Sequence, residues 1–265
     1  MLQRLRALGG LARSVAIYHR GGRARRSALD SWYRRFLDRG ELAFDIGAHV
    51  GDRVACFRRL GARVVAVEPQ PGPLRLLRLL FGRDRGVTLV PAAVAAAPGA
   101  VRLYINPANP TVSTASTAFV KAADGAAGWQ GQRWTEAVTV LAVTLDSLIA
   151  EHGLPAFAKI DVEGFEAEAL AGLSATPRAL SFEFTTIQRD VAQVCLARLS
   201  ALGYAAFNAS LGESLAFAHP APIEAGAMAA WLGSLPAEAN SGDIYASLEP
   251  ERLCPEPARE GPARL

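Results

Sequence analysis

Short apolar segments alternate along this chain with segments whose apolar residues recur every three or four positions. The short apolar runs, such as Leu42–Ile46 and Arg63–Val67, are typical of buried strands. The spacing in segments 54–60 and 188–202 predicts amphipathic helices instead. Because strands and helices alternate, the pattern predicts an α/β fold whose mostly parallel sheet is covered by helices on both faces.

The same pattern divides the chain into three parts. Residues 1–39 predict two basic helices, residues 40–249 one α/β domain, and residues 250–265 a proline-rich disordered tail. Segment 106–133 shows no periodicity and predicts a long loop that is functional or disordered. The predicted strands are 42–46, 63–67, 87–90, 101–105, 137–143, 156–160, 180–184, 204–208 and 244–248, and the predicted helices are 54–60, 74–80, 145–149, 166–173, 188–202 and 225–235.

The N-terminal segment, residues 1–39, carries ten arginines against two aspartates. One interpretation is a helical cap that packs on the domain or over a ligand cleft. The alternative is a basic amphipathic surface that makes weak contact with an anionic membrane or a phosphate-bearing acceptor.

The segment Phe44-Asp45-Ile46-Gly47-Ala48-His49-Val50-Gly51 predicts a strand, a glycine turn and the start of a helix. It lacks the GxGxxG spacing of a dinucleotide site and the GK[ST] ending of a phosphate-binding loop. With no diphosphate to hold, the wider turn favours the amino-acid end of S-adenosylmethionine over NAD. Asp45 would hold the ammonium group, and Gly47 would let the backbone approach the cofactor. A purely structural turn remains the alternative.

Acidic residues recur at the predicted ends of four strands: Asp45, Glu68, Asp161 and Glu183. In parallel sheets, ligands bind beyond the carboxyl ends of the strands. Glu68, which closes the second strand, is placed to accept the two ribose hydroxyls, although a solvated strand-end acid would look the same. Ala92 and Ala93 follow the third strand and would line the adenine.

Asp161-Val162-Glu163-Gly164 places two carboxylates around one apolar residue at the end of a buried strand. One carboxylate can orient the cofactor and the other the acceptor, or both can cap the next helix. His49 lies inside the glycine turn and is a further candidate. No HxH, HExxH or acid–histidine cluster is present, so the sequence predicts no metal site.

The composition adds few constraints. The chain has 265 residues, net charge +3 and 51% hydrophobic residues, so charge alone does not indicate a nucleic-acid partner. The three cysteines are far apart and form no CxxC pair, which suits a reducing, cytoplasmic compartment. No apolar run approaches the ~18–20 residues that span a membrane.

Taken together, the motifs resemble the FkbM-type S-adenosylmethionine-dependent methyltransferases. The resemblance lies in FDIGAHVG at 44–51, VVAVEPQP at 64–71, VTLDSL at 143–148, KIDVEGFEAEALAGL at 159–173 and SFEF at 181–184. It implies a Rossmann-like, seven-stranded, mostly parallel sheet of the class I methyltransferases, and methylation of a hydroxyl on a sugar, glycan or polyketide-like molecule. His49 stands where the family often carries asparagine.

The resemblance and the residues together define the expected site. The candidate catalytic residues are Asp161 and Glu163, followed by His49 and Glu183. The candidate residues for S-adenosylmethionine are Asp45, Gly47, Ala48, His49, Gly51, Glu68, Pro69, Ala92, Ala93 and Asp161. Acceptor choice is expected to depend on segments 1–39 and 106–133, which lie outside the recognisable blocks.

Three alternative functions stay open from the sequence. An RNA methyltransferase would use the basic N-terminus, but no basic patch interleaved with aromatics follows, so a nucleic-acid partner is not expected. An NAD-dependent oxidoreductase would share the first βαβ unit. A protein that binds the cofactor without turnover is the third alternative.

Overall fold

The computed structural model describes residues 2–19 and 22–255, and these build one seven-stranded sheet and one small three-stranded sheet. The seven-stranded, mostly parallel sheet expected for a class I methyltransferase is thereby confirmed. Its strands are β1 (Leu42–Ile46), β2 (Arg63–Val67), β3 (Val87–Val90), β7 (Phe157–Ile160), β8 (Ala179–Thr185), β9 (Ala206–Leu211) and β10 (Ser241–Ser247), in the order β3-β2-β1-β7-β8-β10-β9. The small sheet has the order β4-β6-β5 and contains β4 (Ala93–Val94), β5 (Gly99–Ile105) and β6 (Glu136–Val143).

Helices cover both faces of the large sheet, and most of them overlap the predicted periodic segments. Thr144 caps one of them, as predicted, because its side chain accepts the N–H of Ser147 at 3.0 Å. None of the described helices is long and apolar enough to cross a membrane. The helices are α1 (Leu2–His19), α2 (Gly22–Tyr33), α3 (Asp52–Arg59), α4 (Pro71–Phe81), α5 (Thr117–Ala123), α6 (Leu145–His152), α7 (Glu166–Ala171), α8 (Arg189–Ala201) and α9 (Ala225–Ser234).

Strand β1 lies in the middle of the parallel part of the sheet. It pairs with β2 on one side and with β7 on the other, so that Asp45 lies beside Lys159. The chain runs outward from β1 through β2 to β3 and then returns to the other side of β1. This reversal is the point at which open α/β sheets form a ligand crevice.

Residues 2–19 and 22–33 of the N-terminal segment are helical, and α2 with the turn that follows it belongs to the core of the domain. Tyr33 and Phe36 are fully buried, and the Phe36 ring stacks on Phe157 of β7 with centroids 4.8 Å apart. Stacked aromatic pairs of this kind add to the free energy of burial. Leu8 and Ile17 of α1 remain exposed, and contact of this helix with a membrane surface stays a prediction.

Two expectations about irregular segments are wrong. Segment 106–133 contains a 3-10 helix at Pro110–Val112 and helix α5, which begins because the Ser116 side chain accepts the N–H of Phe119. The disorder predicted from residue 250 does not apply to its first residues. Pro250–Leu253 forms a 3-10 helix, and Leu253 is fully buried. Residues 256–265 lie outside the described residues.

Candidate active site

A cavity of about 860 Å³ opens at the carboxyl ends of β1, β2 and β7. Nine of the ten residues predicted to bind the cofactor line it: Asp45, Gly47, Ala48, His49, Glu68, Pro69, Ala92, Ala93 and Asp161. The nine residues, which were predicted from the strand ends and the glycine turn, therefore lie around one cavity.

The glycine turn after β1 packs tightly against the end of β7. Gly47 has φ 84°, and a Cβ atom built on it would lie 1.8 Å from the carbonyl oxygen of Asp161. No other residue fits there without moving one of the two strand ends. The N–H groups of Gly47 and Ala48 both donate to the Val67 carbonyl, at 2.9 and 3.0 Å, which fixes the turn over β2.

Gly51 is the exception among the predicted cofactor residues, because it does not line the cavity. It adopts φ 79° at the start of α3, and a Cβ atom there would lie 2.6 Å from the ring of Phe81 and 2.7 Å from Leu77. The glycine is thus needed for the packing of α3 against α4. Its role is to shape the turn.

Glu68 is held rigidly at the end of β2. It is 1% exposed, and its two carboxylate oxygens accept the backbone N–H groups of His49 and Gln70, at 2.8 and 2.7 Å. Burial raises the pKa of Glu68 to about 7, and these two hydrogen bonds oppose the shift. The carboxylate is therefore fixed in position while it keeps free lone pairs for two further donors, such as a ribose diol.

Asp45 is a buried acid with an unused acceptor. It is 2% exposed and lines the cavity, and its Oδ2 has no hydrogen-bond partner among the described residues. Burial raises its pKa to about 7, although the charge of Lys159 acts in the opposite direction. A buried oxygen without a partner is costly, so a ligand ammonium at this place would satisfy it.

The turn after β7 holds the acidic pair Asp161 and Glu163. Glu166 closes this turn because its Oε1 accepts the N–H groups of Val162 and Gly164, at 3.0 and 3.3 Å. Glu163 has φ 56°, and its carbonyl accepts the hydroxyl of Thr114 at 2.6 Å. Glu166 therefore holds the turn, and no side-chain hydrogen bond caps α7 at Phe165, so the carboxylates of the acidic pair are available for other roles.

Lys159 joins this acidic group from within β7. It is 3% exposed, and its Nζ lies 2.6 Å from Asp161 Oδ2 and 3.6 Å from Asp243 Oδ1. Desolvation acts to raise the pKa of Asp161, but Lys159, together with a hydrogen bond from Glu183, outweighs it and holds that pKa below its ordinary value. For Glu163, burial and then the Asp161 charge raise the pKa well above its usual range. The two neighbouring acids therefore differ in proton affinity.

A second cavity of about 660 Å³ adjoins the first one. Asp161 and Glu163 line both cavities, whereas Glu183 lines the second alone. Its other walls are mostly polar and come largely from the end of β8, the start of β10, the loop after β9 and segment 106–133. They include Thr111, Trp129, Thr185, Glu213, Asn240, Ser241 and Asp243. His49 lines only the first cavity.

Sequence reasoning missed several residues of the first cavity. Tyr18 of α1 lines it and meets the His49 ring edge-on, with centroids 5.8 Å apart. Arg53 is 7% exposed and binds Glu213 through two contacts of 2.9 Å. These residues come from helices and loops far apart in the chain, and no local motif marks them. The only available signal was the expectation that segment 1–39 caps a cleft.

The FkbM methyltransferase domain is the family whose model matches this chain, over residues 45–205. The chain belongs to the FkbM methyltransferase family. It is a methyltransferase whose cofactor is S-adenosylmethionine. This assignment replaces the NAD-dependent oxidoreductase that the sequence had left open as an alternative. The match begins at Asp45 and includes the turn after β7, so both halves of the candidate site lie within it.

Solved structures with low sequence identity also resemble this FkbM methyltransferase. A precorrin-6y C5,15-methyltransferase from Geobacter metallireducens is 16% identical, over 83% of this chain and 86% of that one, with a TM-score of 0.42. A TehB-like methyltransferase from Corynebacterium glutamicum is 12% identical, over 83% and 86%, with a TM-score of 0.42. Aeropyrum pernix fibrillarin with natively bound S-adenosyl-L-methionine is 9% identical, over 79% and 67%, with a TM-score of 0.40.

Likeness at this level says nothing about the acceptor of this chain. A comparison with curated proteins finds none that matches it. The residues of the first cavity fit S-adenosylmethionine on their own chemistry. Asp45 Oδ2 is a buried acceptor without a partner, the close approach at Gly47 leaves no room for a side chain, and Glu68 is fixed with free lone pairs.

Proposed function

We propose that this FkbM methyltransferase transfers the methyl group of S-adenosylmethionine to a hydroxyl oxygen of a sugar, a glycan or a polyketide-like small molecule. The observation that carries the proposal is the position of Asp161 and Glu163. Both line the cofactor cavity and the second cavity. A carboxylate at the junction of two cavities can touch an acceptor in one while the cofactor lies in the other.

The anchors of the first cavity orient the cofactor. Glu68 would accept the ribose hydroxyls, Ala92 and Ala93 would lie against the adenine, and Asp45 would take the ammonium of the amino-acid end. The sulfur of S-adenosylmethionine lies between the ribose and that end. With both ends held, the methyl group can face the Asp161–Glu163 turn and the second cavity. Fixing two reactants in line in this way can supply several kcal/mol of rate enhancement.

The chemistry of an alcohol acceptor explains why an acid is needed at the junction. The sulfonium already activates the methyl group, but an alcohol is a poor nucleophile. A base must take the hydroxyl proton as the new bond forms. Glu163 is suited to this role because burial and the Asp161 charge raise its pKa, which makes it the stronger base of the pair. Asp161, paired with Lys159, is suited to orienting the acceptor or the cofactor.

The walls of the second cavity favour a small polyhydroxylated acceptor. Hydroxyl and amide side chains, among them Thr111, Thr185 and Asn240, supply donors and acceptors, and Trp129 supplies an aromatic wall. Among the described residues that line it, five acids, Asp161, Glu163, Glu183, Glu213 and Asp243, outnumber the single lysine, Lys159. Such a surface repels a polyanion, which argues against RNA as the acceptor.

Transfer of labelled methyl groups tests the proposal. The protein is incubated with methyl-labelled S-adenosylmethionine and separate pools of oligosaccharides, hydroxylated macrolactones and RNA, and Glu163→Gln is compared with Glu168→Gln. Glu168 is an exposed acid on α7 and serves as the matched control. We expect label in a hydroxylated small-molecule pool, lost in Glu163→Gln and kept in the control.

Two results would contradict the proposal. Label that enters RNA alone would favour the nucleic-acid alternative. Binding of S-adenosylhomocysteine without transfer to any pool would favour a protein that holds the cofactor without turnover.

A further inference from the structure

We propose that Asp161, Glu163 and Glu183 bind one divalent cation, Mg²⁺ or Mn²⁺, at the junction of the two cavities, and that this cation binds the acceptor hydroxyl. The binding site itself is argued from these side chains alone. Its part in methyl transfer rests on the function proposed above.

The three acids meet because their strands are neighbours. Strands β7 and β8 are parallel, and their pairing ends at Ile160 and Phe182, so Asp161 and Glu183 are the next residues on adjacent strands. Glu163 follows in the turn. One carboxylate oxygen from each side chain lies within 4.8 Å of the other two. An ion between them is within about 2.8 Å of all three, and small side-chain rotations reach the roughly 2.0–2.6 Å of a hard cation.

A second observation points to a ligand at this cluster. Glu163 is 7% exposed and faces both cavities, yet its carboxylate has no hydrogen-bond or ion-pair partner among the described residues. The Oε2 atom of Glu183 is also buried without a partner. The half-buried Glu183 side chain shares a hydrogen bond with Asp161, so Glu163 is the member of the cluster that is buried without a partner. Buried carboxylates are normally paired or coordinate a metal.

The neighbouring cations do not supply the missing charge. Lys159 lies 2.6 Å from Asp161 and also pairs with Asp243. Arg53 is occupied by Asp52 and Glu213. Glu163 therefore has no cation of its own, and a divalent ion would balance its charge and take the place of the proton that Glu183 shares with Asp161. The alternative is that these two carboxyl groups carry protons.

Three carboxylates leave open positions on a hard cation, which usually keeps several oxygen ligands from water or substrate. An acceptor hydroxyl that binds there becomes more acidic. Its proton passes to the carboxylate oxygen of Glu163 that does not bind the ion. The hydroxyl oxygen forms the bond to the methyl carbon, the carbon–sulfur bond breaks, and its electron pair remains on sulfur as the neutral thioether.

Mn²⁺ binding measured by electron paramagnetic resonance tests the site without any acceptor. The free-ion signal is followed as Mn²⁺ is added to the protein saturated with S-adenosylhomocysteine, and Mg²⁺ is then added as a competitor. We expect one Mn²⁺ per chain, displaced by Mg²⁺. In Glu163→Gln and Glu183→Gln the affinity should fall by more than about tenfold, since even the loss of an outer partner of a metal ligand has that effect.

Glu213→Gln is the matched control, because Glu213 lines the same cavity but lies outside the cluster. It should keep the affinity of the unmodified protein. Absence of binding at millimolar Mn²⁺ in the unmodified protein would overturn the inference, as would equal losses in all three variants. Binding of S-adenosylhomocysteine reports the folded cofactor site in each variant. Binding of Mn²⁺ without methyl transfer would instead count against the proposed function.

Discussion

Replacement of Glu68 by glutamine tests the assignment of the cofactor anchors. Each carboxylate oxygen of Glu68 accepts one backbone N–H, from His49 and from Gln70. Glutamine keeps the shape but has one oxygen, so its amide NH₂ must face one of these donors. The side chain then loses both its charge and its fixed orientation towards the ribose.

The magnitude follows from the hydrogen bonds at stake. Hydrogen bonds to a charged group contribute about 1.5–3 kcal/mol each. The ribose diol can make two with Glu68, but the free protein already carries a cost for the buried carboxylate, whose pKa is raised to about 7 by burial. We therefore expect the net loss of binding free energy to be close to the contribution of one such hydrogen bond. This corresponds to a fall in cofactor affinity of about 10- to 100-fold.

Two ligands separate this effect from a loss at the amino-acid end. Calorimetric titration is done with S-adenosylhomocysteine and with 5′-methylthioadenosine, which has the ribose but lacks the amino-acid end. Glu68→Gln should weaken both ligands. Asp45→Asn should weaken S-adenosylhomocysteine alone, because only that ligand carries the ammonium group. Glu168→Gln, an exposed change, should leave both affinities unchanged.

Unchanged affinity for 5′-methylthioadenosine in a folded Glu68→Gln protein would refute the ribose assignment. Equal losses for both ligands in Asp45→Asn would refute the ammonium assignment, since the change would then act through the turn as a whole.

Three further predictions concern the turn, the pH dependence and the first helix. Gly47→Ala should lower the free energy of unfolding, measured by chemical denaturation, by more than about 2 kcal/mol, because the added Cβ would clash with Asp161 and the backbone would be strained at positive φ. Gly125 is the control, since it has φ 78° but open space around it. Gly125→Ala should therefore show only the backbone strain of about 1 kcal/mol. Equal losses would contradict this. The raised pKa of Glu68 means that ionisation opposes folding of the free protein, so its contribution to stability is full below the ordinary pKa and is lost as pH rises through about 7. The ionised form accepts the ribose, so calorimetry should show affinity for S-adenosylhomocysteine rising over the same window. Glu68→Gln should reduce this rise to the part contributed by Asp45, whose pKa burial also raises to about 7; a rise of the same size in the variant would contradict it. Tyr18→Ala should weaken S-adenosylhomocysteine about three- to tenfold, because it removes the ring that meets His49 and covers the cavity; no change in the calorimetric affinity would show that α1 leaves the bound cofactor uncovered.

The strands and most of the first cavity could be predicted because they depend on local patterns. β1, β2 and β3 have the predicted bounds, because each is a short apolar run with clear ends, although the edge strand β3 is only partly buried. The carboxyl ends of parallel strands lie at one edge of the sheet. The positions of Asp45 and Glu68 at strand ends were therefore enough to predict that both residues line the same cavity. The roles assigned to these side chains stay predictions.

The contacts that close the site could not be predicted because they join distant segments. Tyr18 reaches His49 across the N-terminal helices, and Glu213 reaches Arg53 from the loop after β9. Helix α5 was also missed. Its seven residues show no apolar period, and it forms because Ser116 caps it and Phe119 packs against Trp129. The three-acid cluster likewise needs the pairing of β7 with β8, which no spacing in the sequence reveals.

A crystal structure of the complex with S-adenosylhomocysteine tests the central claim most directly. The account predicts the ribose hydroxyls on the Glu68 carboxylate, the ammonium on Asp45, and the sulfur facing the junction where Asp161 and Glu163 meet the second cavity. A cofactor bound with its sulfur turned away from that junction, so that neither acid could contact an acceptor beside the methyl group, would contradict it.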